Sequence, residues 1–118
     1  MRTGMLILLA GIILASCSSK KNLPDGVLKP AKMQAVLWDI IRVDAFTTNF
    51  IKKDSSKNAV TENAKLQKKV FAIHKVTEEK FYKSYSYYKK NTTLFKSVLD
   101  SMITSANKTR NIRTSPLN

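Results

Sequence analysis

From residue 30 onward, apolar side chains recur every three or four positions, the spacing that gathers one face of an α-helix. Met33, Val36, Leu37, Ile40, Ile41 and Thr47 form the first such face, on a helix running to about residue 52. Pro30 suits its first position, where a missing N–H removes no hydrogen bond. Trp38, Phe46 and Phe50 lie off the stripe and either thicken the buried face or make a second contact surface. The polar run KKDSSKN at 52–58 reads as a loop. A second, weaker helix covers about 60–74, with Leu66, Val70 and Ile73 inward and Lys65, Lys68 and Lys69 outward. Thr77 then caps a third helix, with Glu78 and Glu79 at its positive dipole end and Val76 placed to staple onto Phe81. Phe81, Ser84, Tyr85 and Tyr88 share its inner face as far as about Asn91. Asn91 or Thr92 caps a fourth, whose stripe is Phe95, Val98, Leu99, Met102 and Ala106, with Ile103 alongside, to about Lys108. Residues 109–118 lose the period and contain Pro116, so they read as a flexible tail. The pattern predicts an all-α chain: a small bundle of three to four amphipathic helices over 30–108. None of these helices is stable until its apolar face is covered.

Upstream the pattern changes. Arg2 precedes an uncharged run, MLILLAGIIL at 5–14, which has secretory length and is too short for a transmembrane helix of about 20 residues. Leu14, Ala15, Ser16 and Cys17 then look like a bacterial lipobox. Small Ala15 and Ser16 let an extended chain enter a signal peptidase, and the Cys17 thiol accepts a diacylglyceryl group. The competing reading is an ordinary cleavage near Ser16 that leaves Cys17 as a free thiol, and a lone exported thiol has no partner here. The segments are therefore a signal peptide at 1–16, a lipidated cysteine and tether at 17–29, the helical domain at 30–108 and the tail at 109–118. Leu23, Val27 and Leu28 are placed to dock part of the tether on the domain. Ser18 after the cysteine, with no aspartate there, and Ser19, Lys20 and Lys21 with no acids, point by analogy with sorting rules to an outer-membrane anchor facing the periplasm.

Composition narrows the partners. The chain has 118 residues, 43% hydrophobic and 25% charged, enough for one packed domain. One cysteine and one histidine exclude an internal disulfide and argue against a usual zinc site. We expect no metal and no cofactor. The formal charge of +13 makes an anionic partner the natural one. Lysines at 52–90 number 11 against 4 acids. Lys65, Lys68, Lys69, Lys83, Lys89 and Lys90 are the candidate contacts for an anionic envelope component, against the plainer reading of a solvated helical surface. The tyrosines Tyr82, Tyr85, Tyr87 and Tyr88 among these lysines superficially suit single-stranded nucleic acid, but export argues against that partner.

Asp44 sits in the middle of the first helix's apolar face, between Ile40, Ile41 and Thr47. A carboxylate there must find a donor or take up a proton. Ser84, Tyr85 and Tyr88 are the candidate donors of a buried polar lock; the sharper alternative is a catalytic or ligand-binding carboxylate opening into a cleft. Asp39 is a poor catalytic partner, since five residues along a helix separate the two by roughly 140°. It pairs more naturally with Arg42, three residues on. His74, near a helix C-terminus, reads as a terminal or packing histidine.

Several of these residues also carry a resemblance. The lipobox ending at Cys17, LKPAKM at 28–33, LWDIIRVDA at 37–45 and VFAIHKVTEEKFYKSYSYY at 70–88 resemble domain of unknown function 4296, a family of small lipoproteins typical of Bacteroidota. Within them, the Asp39/Asp44 spacing, His74, Phe81, Ser84 and Tyr88 resemble recurrent positions of that family. The resemblance implies an exported helical domain and brings no activity and no catalytic residue.

The functional expectation is a lipid-anchored periplasmic module, held on the membrane through Cys17, that binds an envelope protein or anionic polymer and performs no chemistry. Two other classes compete. A helper in folding or assembly of envelope proteins needs an exposed apolar groove, with Trp38, Phe46, Phe50 and Phe71 as its candidate lining. An enzyme needs Asp44 in a cleft with a second group beside it.

Overall fold

The computed structural model describes residues 23–114. They contain four α-helices and no strand: α1 (Pro30–Asn49), α2 (Ala59–His74), α3 (Glu78–Lys90) and α4 (Thr92–Thr114), with a 3-10 turn (Ile51–Lys53) after α1. The all-α bundle is therefore the architecture. The signal peptide, Cys17 and the tether up to residue 22 lie outside the described residues, as do 115–118.

Local chemistry sets most helix ends. Pro30 opens α1, and Asn58 caps α2 by accepting from the Thr61 N–H at 3.0 Å. The Thr77 hydroxyl accepts from the Lys80 N–H at 3.1 Å, while Glu78 and Glu79 at the start of α3 and Lys89 and Lys90 at its end complement the helix dipole. Asn91 alone separates α3 from α4. Its N–H and side-chain amide close α3 onto Tyr87 and Tyr88 carbonyls, and its own carbonyl receives the Phe95 N–H at 2.9 Å.

α2 ends in a Schellman motif: the Lys75 N–H reaches the Ala72 carbonyl and the Val76 N–H reaches Phe71. Lys75 takes the left-handed conformation, φ 54, where glycine is usual. The reversal lets α2 and α3 follow one another along α1. α2 runs antiparallel to it, pairing Thr47 with Asn63 and Asp39 with His74. α3 continues to the beginning of α1, where Ser84 and Tyr88 meet Leu28. α4 returns beside α1 in the same direction, with Gln34 bonded to Ser105 and Arg42 level with Arg113.

The core takes Leu28 from the segment ahead of α1, Met33, Val36, Leu37 and Ile40 from α1, Val70 and Phe71 from α2, and Val76 from the link between α2 and α3. Phe81 and Tyr88 of α3 and Val98 and Met102 of α4 complete it. Three expectations are corrected. Ile41 and Ile73 are 42% and 75% exposed, although the apolar period includes both in its stripes. Ile73 loses its place because the inner face of α2 is centred on Asn63, Gln67, Val70, Phe71 and His74, three of them polar. α4 also continues past Lys108 to Thr114, so the first part of the expected tail is helical. A helix already nucleated propagates through residues such as Lys108, Arg110 and Arg113 without a buried stripe. Periodicity detects only buried faces. Among the described residues, no helix is long and apolar enough to cross a membrane.

Candidate functional site

Asp44 does not lie where the helical wheel put it. It is exposed, at the edge of the seam between α1 and α2, and is not joined to Ser84, Tyr85 or Tyr88. Its Oδ1 accepts from Asn63 Nδ2 at 2.9 Å and Gln67 Nε2 at 3.3 Å. Asn63 also donates to the buried Thr47 hydroxyl at 2.9 Å, Gln67 donates to Asn63, and the Tyr82 hydroxyl donates to Gln67 Oε1 at 3.2 Å. Burial, then the Glu78 and Asp44 carboxylates, hold the Tyr82 phenol above its usual range. A wheel gives the angle of Asp44 but not how closely α2 approaches; α2 covers Thr47 and leaves Asp44 on the rim. The four-residue lock is therefore corrected: Asp44 bonds to Asn63 and Gln67 of α2 instead.

A second polar contact joins the same helices. His74 Nε2 lies 2.7 Å from Asp39 Oδ2, with the imidazole largely buried. An ionised carboxylate only accepts, so Nε2 carries the proton in this bond. Asp39 Oδ1 also meets Arg42 at 3.3 Å, as its spacing predicts. The Asp39–His74 contact could not be read from sequence, because its partners are 35 residues apart.

Ser84 and Tyr88 do form a buried lock, but on backbone rather than on Asp44. The Leu28 N–H donates to Ser84 Oγ at 2.8 Å, and the Tyr88 hydroxyl donates to the Leu28 carbonyl at 2.8 Å. Ser84 Oγ in turn donates to the Lys80 carbonyl at 2.7 Å. Both side chains are completely buried. Burial, with Tyr87 nearby, raises the Tyr88 phenol above its usual range, keeping it a donor. Tyr85 is half-buried; its ring stacks with Phe81 and carries the Lys89 ammonium 4.8 Å from its centre.

The lock pins a strap ahead of α1. The Val27 N–H returns to the Pro24 carbonyl, and Gly26 takes φ +80, the geometry of a type II turn. The Lys83 ammonium donates to the Asp25 carbonyl at 3.2 Å. Of the other candidate lysines, Lys65 is paired with Glu62, while Lys68, Lys69 and Lys90 are exposed. Helical angles turn Lys65, Lys68 and Lys69 away from the inner face of α2. Trp38, Phe46 and Phe50 are exposed, with the two phenylalanine rings 5.2 Å apart, whereas Phe71 is buried and cannot line a groove with them.

Residues 24–112 match a family described as Domain of unknown function (DUF4296), a span that runs from the strap through nearly all of α4. Comparison with curated proteins and with solved structures gave no match.

Proposed function

The chain belongs to the DUF4296 family, and from that footing we propose that it is an exported, lipid-anchored envelope protein whose helical domain binds a partner and performs no chemistry. The observation that carries this reading is the lipobox at 14–17 behind its uncharged run. Acyl chains on Cys17 hold the protein on a bilayer at about 0.8 kcal/mol per buried methylene. The outer membrane, facing the periplasm, is the site we assign it.

The strap supports a definite presentation. Leu28 is locked to α3 and Asp25, eight positions after Cys17 in sequence, meets Lys83, which favours an approach with α3 nearest the anchor. The exposed lysines of α2 and α3 then meet an anionic envelope component or an acidic envelope protein, each contributing about 1 kcal/mol near an anionic surface. Asp39 and Asp44 hold helices together in this reading, as their hydrogen bonds suggest. The exposed pair Phe46 and Phe50 favours a second reading, a helper in folding or assembly of envelope proteins.

The test is the mass and fractionation of the mature protein. A membrane-bound product beginning at an acylated Cys17, with Cys17→Ala released to the soluble fraction, is the expected result. A product without acyl chains that retains residues 1–16 would overturn the anchor. Co-sedimentation with anionic against neutral vesicles across a salt series tests the lysines, and salt-independent binding would remove their role.

A further inference from the structure

We propose that the groove between α1 and α4 binds a single-chain anionic amphiphile, with a carboxylate or phosphate head held by arginines and an apolar tail laid along the helices. The groove encloses about 590 Å³, within the range of small-ligand sites. Ala35, Trp38, Met102 and Ala106 make its apolar floor. Gln34 and Ser105, hydrogen-bonded at 3.4 Å, bridge one end. Arg42, Arg110 and Arg113 line the other.

The distribution of arginine points to this site. Apart from Arg2, these three are the arginines of the chain, and the lining includes neither a lysine nor an acid. Elsewhere the positive charge is lysine. Guanidinium is planar, weakly hydrated and able to grip a carboxylate or phosphate through two parallel hydrogen bonds, which an ammonium cannot do. Arg42 gives one nitrogen to Asp39, and its side chain is still 68% exposed. Beside Arg42, whose charge Asp39 shares, Arg110 and Arg113 bring two more guanidinium groups to the same end of an apolar trough, which favours an anion there.

The gradient from apolar floor to cationic end is that of an amphiphile. A peptide would need partners for every backbone N–H and C=O along the trough, and among the floor side chains only the Trp38 indole N–H is a full donor. The eight steps along α1 from Gln34 to Arg42 give the trough a length of roughly 12 Å at 1.5 Å per residue, suited to a medium-length tail. This inference does not rest on the lipid anchor.

Trp38, the single tryptophan, lies in the floor and reports on occupancy. The full chain in neutral phosphatidylcholine vesicles is titrated with decanoate and decyl phosphate, with decanol and inorganic phosphate as controls. We expect a saturable change in Trp38 emission with an anionic amphiphile and none with either control at the same concentrations. The Arg42→Gln/Arg113→Gln pair should raise the half-saturating concentration about ten-fold or more. Ala106→Phe, which fills the floor while leaving every arginine, should abolish the saturable response. Circular dichroism confirms that both variants remain folded. Equal midpoints for the wild type and the arginine pair, equal responses to decanol and decanoate, or saturation retained by Ala106→Phe would each overturn the proposal.

Discussion

Tyr88→Phe isolates the lock that holds the strap to the bundle. The substitution keeps the buried ring, with its edge-on contacts to Tyr87 and Phe95, and removes only the hydroxyl. The Leu28 carbonyl is then left without its donor at a site where Tyr88 is 0% exposed, so water cannot readily replace the bond. An unsatisfied buried acceptor costs about 1–3 kcal/mol. Against the roughly 5–13 kcal/mol expected of a domain this size, that is a substantial fraction. Ser84→Ala should cost about as much, because it strands the Leu28 N–H. The double variant should lose less than the sum, since releasing either bond loosens the same residue.

Urea unfolding followed by circular dichroism should show a lower midpoint with an unchanged slope, and the Leu28 amide should exchange faster in both variants. The wild type should also lose stability as pH rises above about 10. There the unfolded phenol gives up its proton while folded Tyr88, held above its usual range by burial, retains it. The stabilisation is thus fully present below the unfolded value and disappears as pH climbs through the folded one. Tyr88→Phe should flatten part of that decline. An unfolding free energy within about 0.3 kcal/mol of wild type, with Leu28 still protected, would refute the reasoning.

Three other perturbations test separate elements. Lys75→Gly should stabilise the domain by up to about 1 kcal/mol, read as a higher urea midpoint, because it relieves a left-handed residue in the turn between α2 and α3. Gly26→Ala should destabilise the strap by about 1 kcal/mol, mainly through its positive φ. The nearest atom to the new methyl, at 3.0 Å, is the mobile Lys83 ammonium, so hydrogen exchange at 27–28 should change more than the global midpoint. Asp44→Ala should cost about 0.5–1.5 kcal/mol by removing the acceptor shared by Asn63 and Gln67. Asp44→Asn, which keeps one carbonyl oxygen there, should recover much of that loss in the same assay.

The chain by itself determined features that depend on neighbours in sequence. Pro30, Thr77 and the 3.6-residue recurrence of apolar side chains mark helices whatever else the molecule does, because caps and stripes are local. The Asp39–Arg42 pair belongs to the same class. Only the tertiary structure decided which helix covers which face. A wheel assigns an angle but no neighbour, so it placed Asp44 in the core and could not foresee that Asn63, Gln67 and His74 face α1. It could not bring Leu28 to Ser84 and Tyr88 across more than fifty residues, nor gather Arg42, Arg110 and Arg113 at one groove. Hydrophobic periodicity finds surfaces that exclude water; polar seams and converging charges exist only once separate helices have met.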